Sequence, residues 1–337
     1  MPSPRAGLTV AVTGPTGTFG FGLIPLLQAD DRIAAITGIA RRPFDPAAHG
    51  WAKLRYREGD VRDRAALQQA FAGADVVVHL AFNLTGRADR ATIRAINVEG
   101  TMNAFAAAAA AGAERFVHAS SAAAYGFADG NPIGMTEEWP IRPARHLFYA
   151  QQKAEIEGLL HGAAAAHPAL GLYLLRPPIV VGPHIVGAKT FVPAPLEPAA
   201  RRIAGLLLRL PVAPPVLVPA LALQFIHEAD VGEALRLCVL GAGPPGAYNV
   251  AGDGEVTLAD IAREAGLRAI AVPQAPVRAA ARLLAALPFA PPSLGWAEAF
   301  SNPAIVDTRK ARRELGWRPR YTGLEALRET LAAQRGG

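Results

Sequence analysis

The chain has 337 residues, 51% hydrophobic and 18% charged, so it can bury a sizeable core and is globular rather than disordered. Its net charge of +6 comes from scattered arginines in runs no longer than pairs such as Arg41-Arg42, which excludes the basic stripe of a nucleic-acid surface. The lone Cys238 excludes an internal disulfide and suits a reducing cytoplasm; the opening MPSPRAG is too short and polar for a signal peptide, and Arg209 and four prolines interrupt the most apolar run, Ile203 to Ile226, so no membrane span is expected.

The first predicted element is the strand LTVAVTG, Leu8 to Gly14, followed by a turn with glycines at 14, 17 and 20 and an apolar helix through Leu27. Such a strand, glycine turn and helix can cradle a pyrophosphate. Gly14 permits the turn, Gly17 lets the backbone approach the phosphates and Gly20 lets helix pack on strand; the helix N-terminus attracts the anion. The spacing GxxGxxG differs from the common GxGxxG. A second strand, Ile33 to Ala40, ends at Arg41 and Arg42, where a dinucleotide fold meets the adenosine ribose. An acid there would select NAD, whereas arginine pairs with a 2′-phosphate, so NADP is favoured over NAD.

Leu54 to Asp63 reads as a third strand and turn, Ala65 to Phe71 as a helix, and Asp75 to Ala81 as an apolar strand of the kind buried in parallel sheets. Ala91 to Ala111 reads as one long helix and Arg115 to Ser121 as a fifth strand. A helix opening near Tyr149 precedes the strand Gly171 to Arg176, and the alternation predicts an α/β fold with a doubly wound parallel sheet. Beyond Pro183 the character shifts to Pro and Leu. Gln224 to Val231 predicts a strand running into a helix that ends near Leu240; Tyr248 to Gly252 predicts another strand. Thr257 caps a helix over 258–265, and a last helix starts near Leu324.

Tyr149 and Lys153 lie four apart on one helix and share a face, and such a pair arises by chance only about 0.07 times in a chain with this many tyrosines and lysines. Ser120 and Ser121 close a strand at the carboxyl edge of the sheet, where ligands of open parallel sheets bind. A lysine cation about 4 Å from a phenol favours the phenolate by about three pKa units before desolvation. Tyr149 could then exchange a proton with a carbonyl or alcohol oxygen held by Ser121, while a nicotinamide handles the hydride. No histidine–carboxylate spacing suggests a metal site; His79, His118 and His227 read as structural, and His146 and His184 as candidates to line a pocket.

With these pieces in order, the chain resembles the extended short-chain dehydrogenase/reductase superfamily, in its NAD-dependent epimerase/dehydratase branch. The resemblance rests on TGPTGTFG, GDVRD, VVVHLA, NVEGT, FVHASSAAAYG, YAQQK, RPPIVVGP, FIHEADV, YNVAG and ELGWRP, which span nearly the whole chain. It implies a Rossmann-type domain over residues 1–176, with 224–250 joining it, and a smaller C-terminal substrate-binding domain over 177–223 and 251–337. It implies Ser121, Tyr149 and Lys153 as catalytic. It places Gly14, Thr16, Gly17, Thr18, Phe19, Gly20, Arg41 and Arg42 at the cofactor, with Asp60 and Val61 at the adenine. Leu80, Ala81, Phe82 and Asn97 would lie along the cofactor, and Pro177 and Ile179 near the nicotinamide. It also implies a homodimer.

Two departures bear on substrate. Relatives acting on nucleotide sugars usually carry asparagine at the position of Ile179 and arginine near Gln224, so a less polar small-molecule carbonyl or alcohol is expected, flanked by the greasy stretch Leu206 to Leu223. The alternatives are a nucleotide-sugar epimerase or dehydratase that retains NAD, and a non-catalytic dinucleotide-binding regulator, which would have no use for a tuned phenol.

Overall fold

The computed structural model describes residues 7–84, 89–145, 147–185, 213–273, 275–276 and 302–336. The central strands are β1 (Leu8–Thr13), β2 (Ile33–Ala40), β3 (Leu54–Glu58), β4 (Val76–His79), β5 (Arg115–Ala119) and β6 (Gly171–Arg176), with Gly246–Asn249 as the seventh. Their order across the sheet is Gly246–Asn249, β6, β5, β4, β1, β2, β3, and every neighbouring pair is parallel. The chain steps outward from β1 to β2 and β3, then crosses back to β4 on the other side. That reversal opens a crevice at the carboxyl ends of β1 and β4, where open α/β sheets bind ligands.

The period-two alternation of the strands divides the core between the two faces. Val10 and Val12 point to one face, against helix α1 (Thr18–Ala29) and the helix Glu228–Val239. Ala11 and Val77 point to the other, against α2 (Arg64–Phe71), α4 (Gly100–Ala110) and α5 (Phe148–Ala166). The result is the doubly wound α/β sheet expected of the alternating pattern. α1 and Glu228–Val239 meet through paired glycines: a Cβ on Gly22 would sit 2.2 Å from the Glu228 carbonyl oxygen, and one on Gly232 2.1 Å from that of Gly22. Because those neighbours are backbone atoms, the helices would have to part. Gly232→Ala is therefore expected to cost about 1–3 kcal/mol, seen as a lower urea midpoint with an unchanged m-value.

The expected single helix over Ala91 to Ala111 is interrupted. A short α3 (Arg90–Arg94) passes through a wide π turn, Ala95–Glu99, before α4. The turn frees the Asn97 side chain to bind backbone outside the helix, as π turns often do near functional sites. The final region is tied back by Asp230, whose carboxylate accepts from the N–H groups of Arg320 (2.8 Å) and Tyr321 (3.2 Å) while its carbonyl accepts from Trp317 Nε1 (3.0 Å). FIHEADV and ELGWRP are thus two halves of one buried joint. Val181, Leu221, Leu223, Phe225, Val256, Ala326 and Leu327 form a separate small core, so the end of the leucine-rich stretch covers apolar surface. Leu206 to Leu208 lie outside the described residues. Among the described residues no helix is long and apolar enough to cross a membrane.

Candidate active site

The crevice holds a cleft of about 680 Å³. Of the residues expected there, Gly14, Thr16, Gly17, Thr18, Phe19, Arg41, Arg42, Val61, Leu80, Ala81, Phe82, Tyr149 and Lys153 line it. Gly20, Asp60, Asn97, Ser121, Pro177 and Ile179 do not. Gly20 lies beneath the turn, where a Cβ would come 2.0 Å from the Pro15 carbonyl oxygen. Asp60 is paired with Arg62 at 2.8 Å, which holds its carboxyl below the usual range. Asn97 is fully buried: its Oδ1 accepts from Asn83 N (2.7 Å), and its Nδ2 donates to Asn83 O (3.1 Å) and Gln152 Oε1 (2.8 Å). It anchors the cleft wall to α5 instead of forming it. Pro177 is buried, its carbonyl accepting from Ala122 N (2.9 Å), and Ile179 is exposed on its short strand. Sequence reading did not single out Ile39, Ala40, Gly59, Asn83, Leu84, Ile96 or Ala119, and left Ser120 only as a neighbour of Ser121; all line the cleft. Most adjoin expected residues at the carboxyl ends of strands, which is the signal that could have found them.

The glycine turn separates fold from site. Gly14 has φ +68° and no room for a Cβ, which would lie 2.9 Å from Ala81 N. Gly17 has an ordinary φ of −94°, and a Cβ there would meet only Gly14 O at 3.5 Å. Neither backbone strain nor crowding by protein atoms requires glycine at 17, which serves as the N-cap of α1. No side chain caps α1 and its first turn carries no acid, so no carboxylate offsets the positive end of its dipole, which favours an anion there. Thr13 stiffens the facing wall. Its hydroxyl bonds His79 Nδ1 at 2.8 Å and accepts from the N–H groups of Leu80 and Ala81, both at 3.2 Å. His79 Nε2 donates to Thr101 (3.0 Å), whose own proton goes to the Asn97 carbonyl (2.5 Å). Burial holds this imidazole neutral, down to about 3. His184 does not line the cleft. Its ring stacks on Phe21 with centroids 4.5 Å apart, and its Nδ1 meets Glu228 at 2.5 Å. His146 lies outside the described residues.

Tyr149 and Lys153 line the cleft, and Ser121 meets Tyr149 from outside its lining. Ser121 begins the short helical turn after β5, its Oγ accepting from Ala123 N (3.1 Å), and its hydroxyl reaches the Tyr149 phenol. Phe82 packs edge-on against Tyr149, centroids 5.6 Å apart, and its face covers the Lys153 ammonium at 3.8 Å. Lys153 is buried and donates to the Ala119 carbonyl (2.7 Å).

The Tyr149 phenol stands above its ordinary value, not below it as the sequence predicts. The ammonium turns toward Ala119 and Phe82 and stands 5.9 Å from the Tyr149 ring centre. Burial therefore pushes the phenol up, opposed only by the Ser121 bond. Burial also brings Lys153 down to about 7. A phenol bonded to a hydroxyl, and an amine that titrates near neutrality, thus stand with a glycine turn at a helix start around one cleft. That arrangement can orient an oxygen and exchange a proton with it.

The fold and this cleft define a Rossmann-type protein of the extended short-chain dehydrogenase/reductase class. The model of the NAD dependent epimerase/dehydratase family matches residues 10–251, and the chain belongs to that family. Protein y4nG of Sinorhizobium fredii is 27% identical over 337 aligned residues, covering 96% of this chain and 77% of that one. Sterol demethylase protein B of Methylococcus capsulatus is 31% identical over 181 residues, 52% of each chain. Among solved structures, the UDP-glucose 4-epimerase of Thermus thermophilus in complex with NAD superposes with a TM-score of 0.70 at 22% identity, over 98% of this chain and 100% of that one.

Proposed function

We propose that the protein is an NAD(P)-dependent oxidoreductase that interconverts a carbonyl and an alcohol on a small apolar molecule, with Ser121, Tyr149 and Lys153 as catalytic residues and NADP preferred over NAD. The observation that carries this reading is that Tyr149, bonded to the Ser121 hydroxyl, and Lys153 line the same cleft as the glycine turn, where the bare Gly17 leaves room for a bound molecule. The residues present fit a dinucleotide. The uncapped start of α1 would take its pyrophosphate. Arg41 and Arg42 are exposed at the end of β2, and no acid stands there to accept from a free ribose 2′-hydroxyl. Asp60 and Val61 would lie at the adenine, Leu80, Ala81 and Phe82 along the molecule, and Pro177 and Ile179 near the nicotinamide, with Asn97 bracing the wall. Residues 1–176 with 224–250 would then be the dinucleotide-binding unit, and 177–223 with 251–337 the substrate-binding one.

When bound, the nicotinamide supplies or accepts the hydride, a chemistry no side chain has. Ser121 holds the substrate oxygen by its hydroxyl. In reduction Tyr149 gives its proton to that oxygen, and the Lys153 charge stabilises the phenolate left behind; in oxidation the phenolate takes the proton back.

The apolar substrate is supported by Gln224, whose amide is spent on Val306: Nε2 donates to its carbonyl (3.1 Å) and Oε1 accepts from its N–H (2.8 Å). Both ends of the amide are thus held by backbone, and the side chain carries no positive charge for a diphosphate. Ile179, 37% exposed, adds apolar surface. The Methylococcus relative is named for a sterol, itself an apolar alcohol. The Thermus neighbour favours a second reading, a nucleotide-sugar epimerase or dehydratase with retained NAD. The assay follows oxidation of NADPH and of NADH against apolar ketones and aldehydes, alongside a titration with UDP-sugars. Turnover with NADPH is expected; micromolar binding of a UDP-sugar would overturn the apolar substrate. Replacing Arg41 and Arg42 together by Ala is expected to raise KM for NADPH about tenfold or more and leave that for NADH nearly unchanged.

A further inference from the structure

Three consecutive residues at the end of β5 are gripped by three successive turns of α5. Lys153 donates to the Ala119 carbonyl, Tyr149 meets the Ser121 hydroxyl, and between them the Ser120 hydroxyl donates to Glu157. Tyr149, Lys153 and Glu157 stand four residues apart and so fall on one helix face. Glu157 is buried and clamped by Arg176, whose Nε lies 3.0 and 3.2 Å from the two carboxylate oxygens and whose Nη2 lies 2.5 Å from Oε2. Arg176 is buried as well. Its Nη1 donates to the Tyr125 hydroxyl (2.7 Å) and the Glu137 carbonyl (3.1 Å), and Tyr125 donates to Asn249 Oδ1 (2.8 Å). A buried ion pair of this kind is often no more stabilising than an apolar pair of the same volume, so stability is a weak reason for it.

Lys153 is in the opposite position. Its ammonium is buried against a carbonyl and the Phe82 ring, with no carboxylate in contact among the described residues. The groups facing it are Tyr149 and Glu157 from its own helix, Phe82 from the cleft wall, and His79 and His118 from β4 and β5. Both imidazoles are held neutral, by burial and by this same ammonium. Glu157 is the acid that acts on Lys153, and it opposes the effect of burial.

We propose that Glu157 is a positioning residue for the Tyr149–Lys153 pair: fixed by Arg176 and Ser120, its carboxylate supplies the negative charge that favours the ammonium form of the buried Lys153. The catalytic consequence rests on the reading of Tyr149 and Lys153 above; the electrostatic effect does not, and it can be measured without a substrate.

The chain has only Lys53, Lys153, Lys189 and Lys310, so protein labelled with 13C at lysine Cε gives four signals, and Lys153→Met identifies the one of interest. In the wild type that signal is expected to titrate near 7. In Glu157→Gln its midpoint is expected to fall by about one pH unit or more, the size of one charge about a helical turn away in a poorly solvated site. Should the single variant not fold, Glu157→Gln with Arg176→Met removes both buried charges and is expected to move the midpoint in the same direction, because Glu157 stands one helical turn from Lys153 on α5 and acts on it, whereas Arg176 comes from β6. An unmoved midpoint in either folded variant overturns the proposal, even if activity falls, since a merely structural carboxylate would behave that way. If Lys153 shifts as expected while no nicotinamide-dependent turnover is found, the proposal stands and the oxidoreductase reading fails.

Discussion

Tyr149→Phe is expected to lower kcat/KM about 10³-fold, in reduction and oxidation alike, with dinucleotide binding and thermal stability close to wild type. The substitution removes one oxygen. The ring keeps its edge-on contact with Phe82 at 5.6 Å, and what disappears is the proton-transferring group and its bond to Ser121. Positioned general acids contribute about 10²–10⁴ in rate, or about 3–5 kcal/mol of barrier. The pH dependence should identify the partner. Burial pushes Tyr149 up, so the phenol remains a proton donor through neutrality. Lys153 loses its charge as pH rises through about 7. Below that pH the ammonium is present to stabilise a phenolate; above it the support is gone. Reduction by the wild type should therefore decline above about 7. The residual rate of Tyr149→Phe should lack that limb. Unchanged turnover in this variant would remove Tyr149 from the mechanism.

Gly17→Val is expected to weaken dinucleotide binding about 10²-fold, a loss of about 2.7 kcal/mol, while moving the melting temperature by only about 2 °C. The two effects separate because the new side chain would project into the cleft and not into protein. A Cβ at 17 meets nothing nearer than 3.5 Å, and φ is already one that any residue adopts. The stability cost is that of a poor helix cap, about 1 kcal/mol. Gly20→Val is the matched control. Its Cβ would overlap the Pro15 carbonyl, so that variant should fail through the fold, with melting and binding lost together. Isothermal titration with NADPH and with NADH, alongside thermal melts, distinguishes the two. Full binding by a folded Gly17→Val protein would place the dinucleotide elsewhere or nowhere.

Much of the molecule could be read from local pattern. The three consecutive valines of β4 and the alternation of strands with helices announce a parallel sheet covered on both faces, because burial on two sides leaves no polar face to write into the strand. The YxxxK spacing places Tyr149 and Lys153 on one face because a helix returns to the same side every four residues. These features depend on residues close in sequence. The π turn at Asn97 did not show, since the side chain leaves the helix to bind Asn83 across a gap of 14 residues. The spending of Gln224 on Val306, 82 residues away, was equally hidden; without it, a neutral amide says little about a diphosphate.

The sequence alone therefore determined the family, the layers of the fold and the glycine turn, and it singled out the side chains proposed to react. All of these follow from residue type and short-range periodicity. Only the tertiary structure decided the electrical state of the site: Lys153 turned toward Ala119 and Phe82, Tyr149 pushed up by burial, and Glu157 locked beneath them by Arg176 from β6. A charge is set by everything packed around it. The groups that surround Lys153 come from four different stretches of chain, so no local pattern could have shown their sum.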